Sequence, residues 1–398
     1  MSEKILYKQT LILFPLVALA LGITSCGEDE AETVSGIRGK VVSSYAELAE
    51  ASYKDSVDAA KTLNEKIKAF IAAPSATTHE AAKQAWLDSR EPYLQTEVFR
   101  FYEGPIDNET DGPEGLLNAW PMDEHFVDYT ESQPNAGLIN DTTFDMTAAN
   151  IEAKNEDGGE KNIATGYHAI EFLLWGQDLT DGPGAGNRPF TDFVDDTTGT
   201  AANQDRRAKY LEIVGDLLVT HLEQVHTQWA QDGAYRKAFE AAAADASIEK
   251  ILTGMIVLAG FETGGERLQA ALDSGDKEDE HSCFSDNTHR DMIQDVQGIH
   301  NVFNGTYTTV SGVKWTGTGI KDAVSEVDSA LATTLGSHID AALSSANALE
   351  GNEPFENLIK PNAAGNAKVT DLIAKLRTVE STLESVFTKM KFSVPAPE

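Results

Sequence analysis

An all-α architecture, two helical bundles in series, follows from three features of the 398-residue chain. Apolar residues recur at three- and four-residue steps from about Val41 onward, the spacing of one helical face. Strand-like alternation is confined to Thr306–Trp315, which reads as a small hairpin. Gly, Pro, Asp and Asn gather between periodic segments, as connecting loops require. The chain length suits two to three domain-sized units, and 41% hydrophobic residues suffice for well-filled cores.

In chain order, Lys4 and Lys8 precede an apolar run from Leu11 to Leu21, and Gly22-Ile-Thr-Ser-Cys26 follows. This is the pattern of a bacterial lipoprotein signal, in which Cys26 is acylated and becomes the first residue. The run is too short to span a bilayer as a helix. Acyl chains would then hold the protein on a membrane, as an outer-membrane lipoprotein of the cell envelope facing the periplasm or the exterior. Residues 27–38 form an acidic tether.

Val42, Tyr45, Leu48, Tyr53, Val57, Leu63, Ile67 and Phe70 mark a first helix that ends at Ala72-Ala-Pro-Ser-Ala. Thr77-Thr-His-Glu80 has the spacing of a capping box and opens a second. Pro92 should kink or break that helix near Asp88–Glu91. A loop-rich stretch runs from Gly104 to about Asn140. Helices are then expected over 143–153, 162–175, 203–230, 232–245, 247–273, 288–303, 321–349 and 366–390. Asp232-Gly233 and Asp245-Ala-Ser247 punctuate the middle, so the bundles divide into 39–240 and 241–398.

Charge narrows function. Sixty-four acidic residues against 31 Lys and Arg give a net charge of -33, which excludes nucleic acid as a partner and suits a protein that meets cations. Two cysteines, Cys26 and Cys283, exclude a disulfide framework.

Three segments carry chemistry. Gly166-Tyr-His-Ala-Ile-Glu-Phe-Leu-Leu-Trp-Gly176 is apolar nearly all round except at His168 and Glu171, which share one helical face. A buried carboxylate needs a partner, so the pair meets a metal, an arginine or each other. One His and one Glu at this spacing is the unit of helical-bundle metal sites, and a His–Glu hydrogen bond inside a core is the competing reading. Arg90, Tyr93, Glu97 and Arg100 lie along one face in an aromatic neighbourhood, readable as a buried polar stripe or as a solvated one. Glu262 and Glu266 sit four apart, and Glu280, His281, Asp286 and His289 follow around a turn that Ser285 or Asn287 could cap. His79-Glu-Ala-Ala-Lys83 lacks the second His of a zinc protease, and Asp107–Asn118 lacks the closing Glu of a calcium loop. No phosphate-binding glycine loop or nucleophile elbow is present.

At these residues the sequence resembles the imelysin family of bacterial envelope lipoproteins. The likeness rests on Gly166-x-His168-x-x-Glu171 with its Phe-Leu-Leu-Trp-Gly tail and on Trp86…Arg90…Tyr93…Glu97…Phe99-Arg100. It rests equally on His281-Ser-Cys-Phe-Ser-Asp-Asn-Thr-His289, followed by Asp295-x-x-Gly298-Ile-His-Asn301, and extends over roughly 37–391. The resemblance implies two helical bundles with the His168 motif near their interface, and a link to bacterial iron acquisition. The expected site has His168 and Glu171 as metal ligands, completed by Glu97 and one or more of Glu262, Glu280, His281, Asp286 and His289. Arg90, Tyr93 and Arg100 stand behind them, orienting carboxylates. Hard oxygen donors with one or two imidazoles suit iron, with zinc as the alternative. Iron-transport components and the membrane are the expected partners. Two rival functions stay open: a zinc metallopeptidase of the type the family was first classed as, and an interaction protein whose polar residues only fix helix register.

Overall fold

The computed structural model describes residues 36–180, 185–351 and 353–396. The signal segment and Cys26 lie outside the described residues, as does the tether up to residue 35. The protein is all-α, and among the described residues the β structure is one two-stranded hairpin.

Helix α1 (Ile37–Ala72) buries the stripe read from the sequence, from Val41 to Phe70. Helix α2 (Ala76–Leu94) is capped by Ser75, two residues before the expected cap at Thr77. Ser75 follows Pro74 and accepts from the Thr78 amide, while the Thr78 hydroxyl accepts from the Ser75 amide. A threonine thus takes the reciprocal role that Glu80 was expected to fill. The helix does not break at Asp88–Glu91. Pro92 lies within it, and the fully buried Trp86, Tyr93 and Leu94 clamp the turn on both sides. A 3-10 turn, Glu97–Phe99, follows.

An irregular region with single-turn helices at Glu114–Leu117, Glu124–Val127 and Ala148–Glu152 leads to α3 (Gly166–Trp175). The helix expected over 143–153 shrinks to Ala148–Glu152 because the Thr147 hydroxyl caps it at Asn150. Helices α4 (Gln204–Trp229) and α5 (Ala234–Ala241) follow. Helix α6 (Ala244–Val257) continues into a π-helical segment, Leu258–Gln269, and a last turn, Ala270–Ser274. After α7 (Thr288–Asn304), the hairpin pairs Tyr307 with Trp315 across β1 (Thr306–Thr308) and β2 (Lys314–Thr316). The segment expected as one helix over 321–349 splits into α8 (Ile320–Val327) and α9 (Ser329–Asn347). Asp328 is extended there and accepts from the Leu331 amide at 3.0 Å, which restarts the helix. Helix α10 (Asn366–Met390) closes the fold.

Helices α1, α2, α3 and α4 pack as one group, and the π segment with α7, α8, α9 and α10 as another. The groups meet where α1 lies on α6 and α8 and where α2 lies on α7. Buried apolar side chains from Val41 to Met390 form one connected core. Among the described residues no helix is long and apolar enough to cross a membrane.

Candidate functional site

Helix α3 is buried along its whole length, and its first residue explains its position. Gly166 has φ +81°, and a Cβ there would fall 2.5 Å from the Leu117 carbonyl oxygen, so only glycine lets the helix start against that backbone. One turn later His168 and Glu171 project together, and their side chains have no exposure to solvent.

His168 Nδ1 and Glu171 Oε2 are hydrogen-bonded at 2.9 Å. The other carboxyl oxygen of Glu171 accepts from the Ser285 amide at 3.0 Å and the Ser285 hydroxyl at 2.7 Å. Ser285 therefore serves Glu171 and does not cap the following helix, whose first turn begins after Asn287. Burial pushes the Glu171 carboxyl up to about 8, against the pull of Ser285 and Arg90.

The loop before α7 places His281 against this pair, its ring 4.9 Å from that of His168 and roughly perpendicular to it. His281 Nδ1 donates to Asp291 Oδ2 at 2.7 Å, and Asn118 Nδ2 approaches His281 Nε2 at 3.5 Å. Burial opposes ionisation of Asp291, yet Arg90, His281 and Ser282 hold its carboxyl well below the usual range. Burial, with Arg267 nearby, brings His281 down to about 4, and burial pulls His168 well below its ordinary value too. Both imidazoles are neutral at pH 7. With Asp291 taking the Nδ1 proton, His281 keeps a lone pair on Nε2. The Nε2 of His168 is buried and has no hydrogen-bond partner. Trp120 lies over His168 at 4.8 Å and screens it.

Arg90 links these parts. It donates to Asn118 at 2.6 Å and Asp291 at 3.3 Å, and its guanidinium lies 4.9 Å from the Tyr167 ring, with Trp86 and Tyr93 also around it. Tyr93 thus contributes a ring face rather than its hydroxyl, which is buried without a partner.

Beside His281 lies a second ionic network. Arg267 donates to Glu97 and to Glu262, and at 2.9 Å to Asp295. The π-helical segment makes this possible, because Glu262 and Arg267 stand five residues apart and still meet at 2.8 Å. Arg100 reaches Glu97 at 2.6 Å and Glu114 at 3.1 Å. Burial works against the Glu97 charge, yet Arg100 and Arg267 bring its carboxyl down to about 2. Asp295 goes the other way: burial, reinforced by Glu97, pushes it up to about 7. One oxygen of Glu97 and one of Asp295 are buried without partners.

The structure therefore gathers His168, Glu171, His281, Glu97 and Glu262, with Arg90, Tyr93 and Arg100 around them, at the seam of the two helix groups. Glu280, Asp286 and His289 do not join them. Glu280 Oε2 accepts from the Thr288 hydroxyl at 3.2 Å, and that hydroxyl in turn accepts from the Ser282 amide. Asp286, at φ +56°, acts electrostatically on Glu280 and Glu356. Burial lowers His289, whose Nδ1 is buried without a partner, and Asp291 is the strongest charge acting on it, followed by Arg290, Glu350 and Glu91. Glu171 is engaged by three hydrogen bonds and orients His168. Asp291, Arg267, Asn118 and Trp120 were not singled out as site residues from the sequence, and Asp295 stood there only as part of the motif before Gly298. Arg267 closes the Gly260–Arg267 segment, so a buried cation beside two glutamates was the available signal; Asp291 has none, being one acid in a helix's first turn.

Each imidazole has its Nδ1 tied to a buried carboxyl group; once Glu171 is ionised and accepts from His168 Nδ1, as Asp291 does from His281, both Nε2 atoms are left to face a cation. Two imidazole nitrogens with the nearby free oxygen of Glu97 are the donors that fit a metal here. Among the described residues no three His, Cys, Asp or Glu side chains form a ready-made ligand cage. The remaining positions would fall to water or to small shifts of Glu97.

Known proteins place the chain. The family described as Imelysin matches residues 49–383. Iron-regulated protein A of Synechococcus elongatus is 25% identical over 319 residues, 74% of each chain. A crystal structure from Parabacteroides distasonis, named as a candidate iron-regulated protein A precursor, covers 89% of this chain and 95% of its own. Its TM-score is 0.68 at 17% identity, a likeness of fold. A match running over most of the chain makes this protein a member of the imelysin family.

Proposed function

We propose that the protein binds a metal ion, iron in first place, between His168 and His281 and serves iron uptake at the cell envelope. One observation carries the reading: a fully buried imidazole nitrogen without a partner, beside a second imidazole whose Nε2 lone pair is free of a strong donor. Leaving such a group unsatisfied costs about 1–3 kcal/mol, which a bound cation recovers. Glu171 and Asp291 orient the two rings, Glu97 offers an oxygen, and Arg90 and Arg100 hold the surrounding carboxylates in place. A bound metal would supply a charge centre, and the residues around it would set its selectivity. The iron-regulated relatives support iron over zinc. Burial favours binding over peptide cleavage, since a substrate backbone would have to reach imidazoles enclosed by Trp120 and α3. Attachment to the membrane through acylated Cys26, and handover to iron-transport components, belong to the same proposal and rest on the sequence from Lys4 to Cys26.

Calorimetry and elemental analysis on the purified protein test it, comparing iron and zinc in the wild type, His168→Ala, His281→Ala and Glu171→Gln. Tight iron binding lost in both histidine variants and weakened 10–100-fold in Glu171→Gln is expected. Undiminished binding in the histidine variants would place the metal elsewhere.

A further inference from the structure

Two N–H groups stand beside the paired imidazoles without an adequate acceptor. His281 donates from Nδ1 to Asp291, so its Nε2 can only accept, and the group facing it is Asn118 Nδ2, 3.5 Å away. The orientation of that amide is fixed from behind. Arg90, which has donors alone, reaches the Asn118 oxygen at 2.6 Å, so the N–H side points at His281. Both residues are held in place: Asn118 is 3% exposed, and the fully buried Arg90 is bonded to Asp291 and surrounded by the rings of Trp86, Tyr93 and Tyr167. On the other imidazole, the Trp120 ring lies 4.8 Å from that of His168, and its indole N–H is buried without a partner.

A metal ion on His281 Nε2 takes the lone pair that Asn118 now faces. The amide would then aim the positive end of its N–H dipole at a cation, with the Arg90 guanidinium behind it, and that arrangement is repulsive. An oxygen atom between them, held by the metal and accepting from Asn118, turns the repulsion into attraction. A second oxygen of the same group can accept from Trp120. Water does this poorly, because it has two hydrogens of its own to place among donors. A carboxylate or carbonate offers acceptors, and hydrogen bonds to an ionised acceptor are about twice as strong as neutral ones. The protein leaves coordination positions for such a group. The imidazoles bring no charge, the charge of Glu97 is already matched by Arg100 and Arg267, and among the described residues no three His, Cys, Asp or Glu side chains form a cage.

We propose that the metal is held together with an oxygen anion, a carboxylate or carbonate that arrives alone or as part of an iron chelate, and that Asn118 Nδ2 and Trp120 Nε1 donate to it. The proposal rests on the imidazole pair as the metal site. It makes the cargo an anionic iron complex rather than the bare ion, with Asn118 and Trp120 as the residues that select it.

Anaerobic calorimetry with ferrous iron tests this, first in bicarbonate-free buffer and then with bicarbonate or equimolar citrate. In the wild type an anion should tighten iron binding by about 10–100-fold, the range typical of groups that hydrogen-bond to a metal's ligands. Tightening by bicarbonate identifies a small anion, and tightening by citrate alone identifies a chelate. The gain should shrink severalfold in Trp120→Phe, which keeps a ring and loses the N–H. Asn118→Asp keeps an acceptor for Arg90 and puts a charged oxygen where the N–H was; there the gain should vanish, because the variant supplies its own anion. A readout independent of affinity uses zinc as a diamagnetic metal. Isotopically labelled bicarbonate or citrate should then show a bound carboxyl resonance in the wild type that is lost in His168→Ala/His281→Ala and in Asn118→Asp. Iron binding that is equally tight with and without anions, or a gain unchanged in both variants, would overturn the proposal and leave the imidazole site standing. Absence of iron binding in every buffer would remove the metal reading, and this proposal with it.

Discussion

Three hydrogen bonds converge on Glu171, from the amide and hydroxyl of Ser285 and from His168, and burial still holds the proton on its carboxyl up to about pH 8. An unfolded glutamate releases that proton near 4.5. Between those values the folded state binds more protons, so this group's contribution is full below 4.5 and lost as the pH rises through about 8. Glu171→Gln should remove that slope: urea midpoints at about pH 6 and about pH 8 should lie closer together in the variant than in the wild type. His281 has the opposite sign. Its contribution is full above 6.5 and is lost as the pH falls toward about 4, because the unfolded chain takes up the proton that the fold refuses. His281→Gln should flatten the acid limb of the same curve. Backbone matters as much as charge here. Gly166→Ala sets a side chain at φ +81° and 2.5 Å from a carbonyl oxygen, so a loss of at least about 1–3 kcal/mol is expected, read as a lower melting temperature.

At the level of elements, the π-helical segment is the part that sequence periodicity conceals. Its extra residue per turn leaves the apolar pattern of 247–273 looking like one ordinary helix, yet it aligns Glu262 with Arg267 and aims that guanidinium at Glu97 and Asp295. Arg267→Met would leave three carboxyl groups without their shared cation, and a loss of about 3–5 kcal/mol in guanidinium unfolding is expected. Arg267→Lys should recover little, since one ammonium cannot serve Glu97, Glu262 and Asp295 from separate nitrogens. The helices of the bundles were legible because their apolar stripes are long and regular, and α3 was legible because two polar residues interrupt an otherwise apolar turn. What escaped the sequence depends on long-range packing: Pro92 tolerated inside α2, the break at Asp328, and Asp291 reaching back to Arg90 across 201 positions.

Across the molecule, a net charge of -33 means self-repulsion that salt can screen. Adding sodium chloride should raise the melting temperature of the wild type. The penalty of Arg267→Met should stay nearly constant in the same titration, because its partners are buried beyond the reach of mobile ions. The position of α1 has a consequence in time. This helix precedes every other described helix in synthesis, and it packs on α2 and α4 and also on α8, which spans Ile320–Val327. During synthesis its apolar stripe waits for partners from the far end of the chain, and contacts of such separation form slowly. The nascent protein must therefore pass through a stage in which α1 is shielded by something other than its own fold. A chain cut short before α8 should be a substrate for chaperones and proteases rather than a smaller working protein.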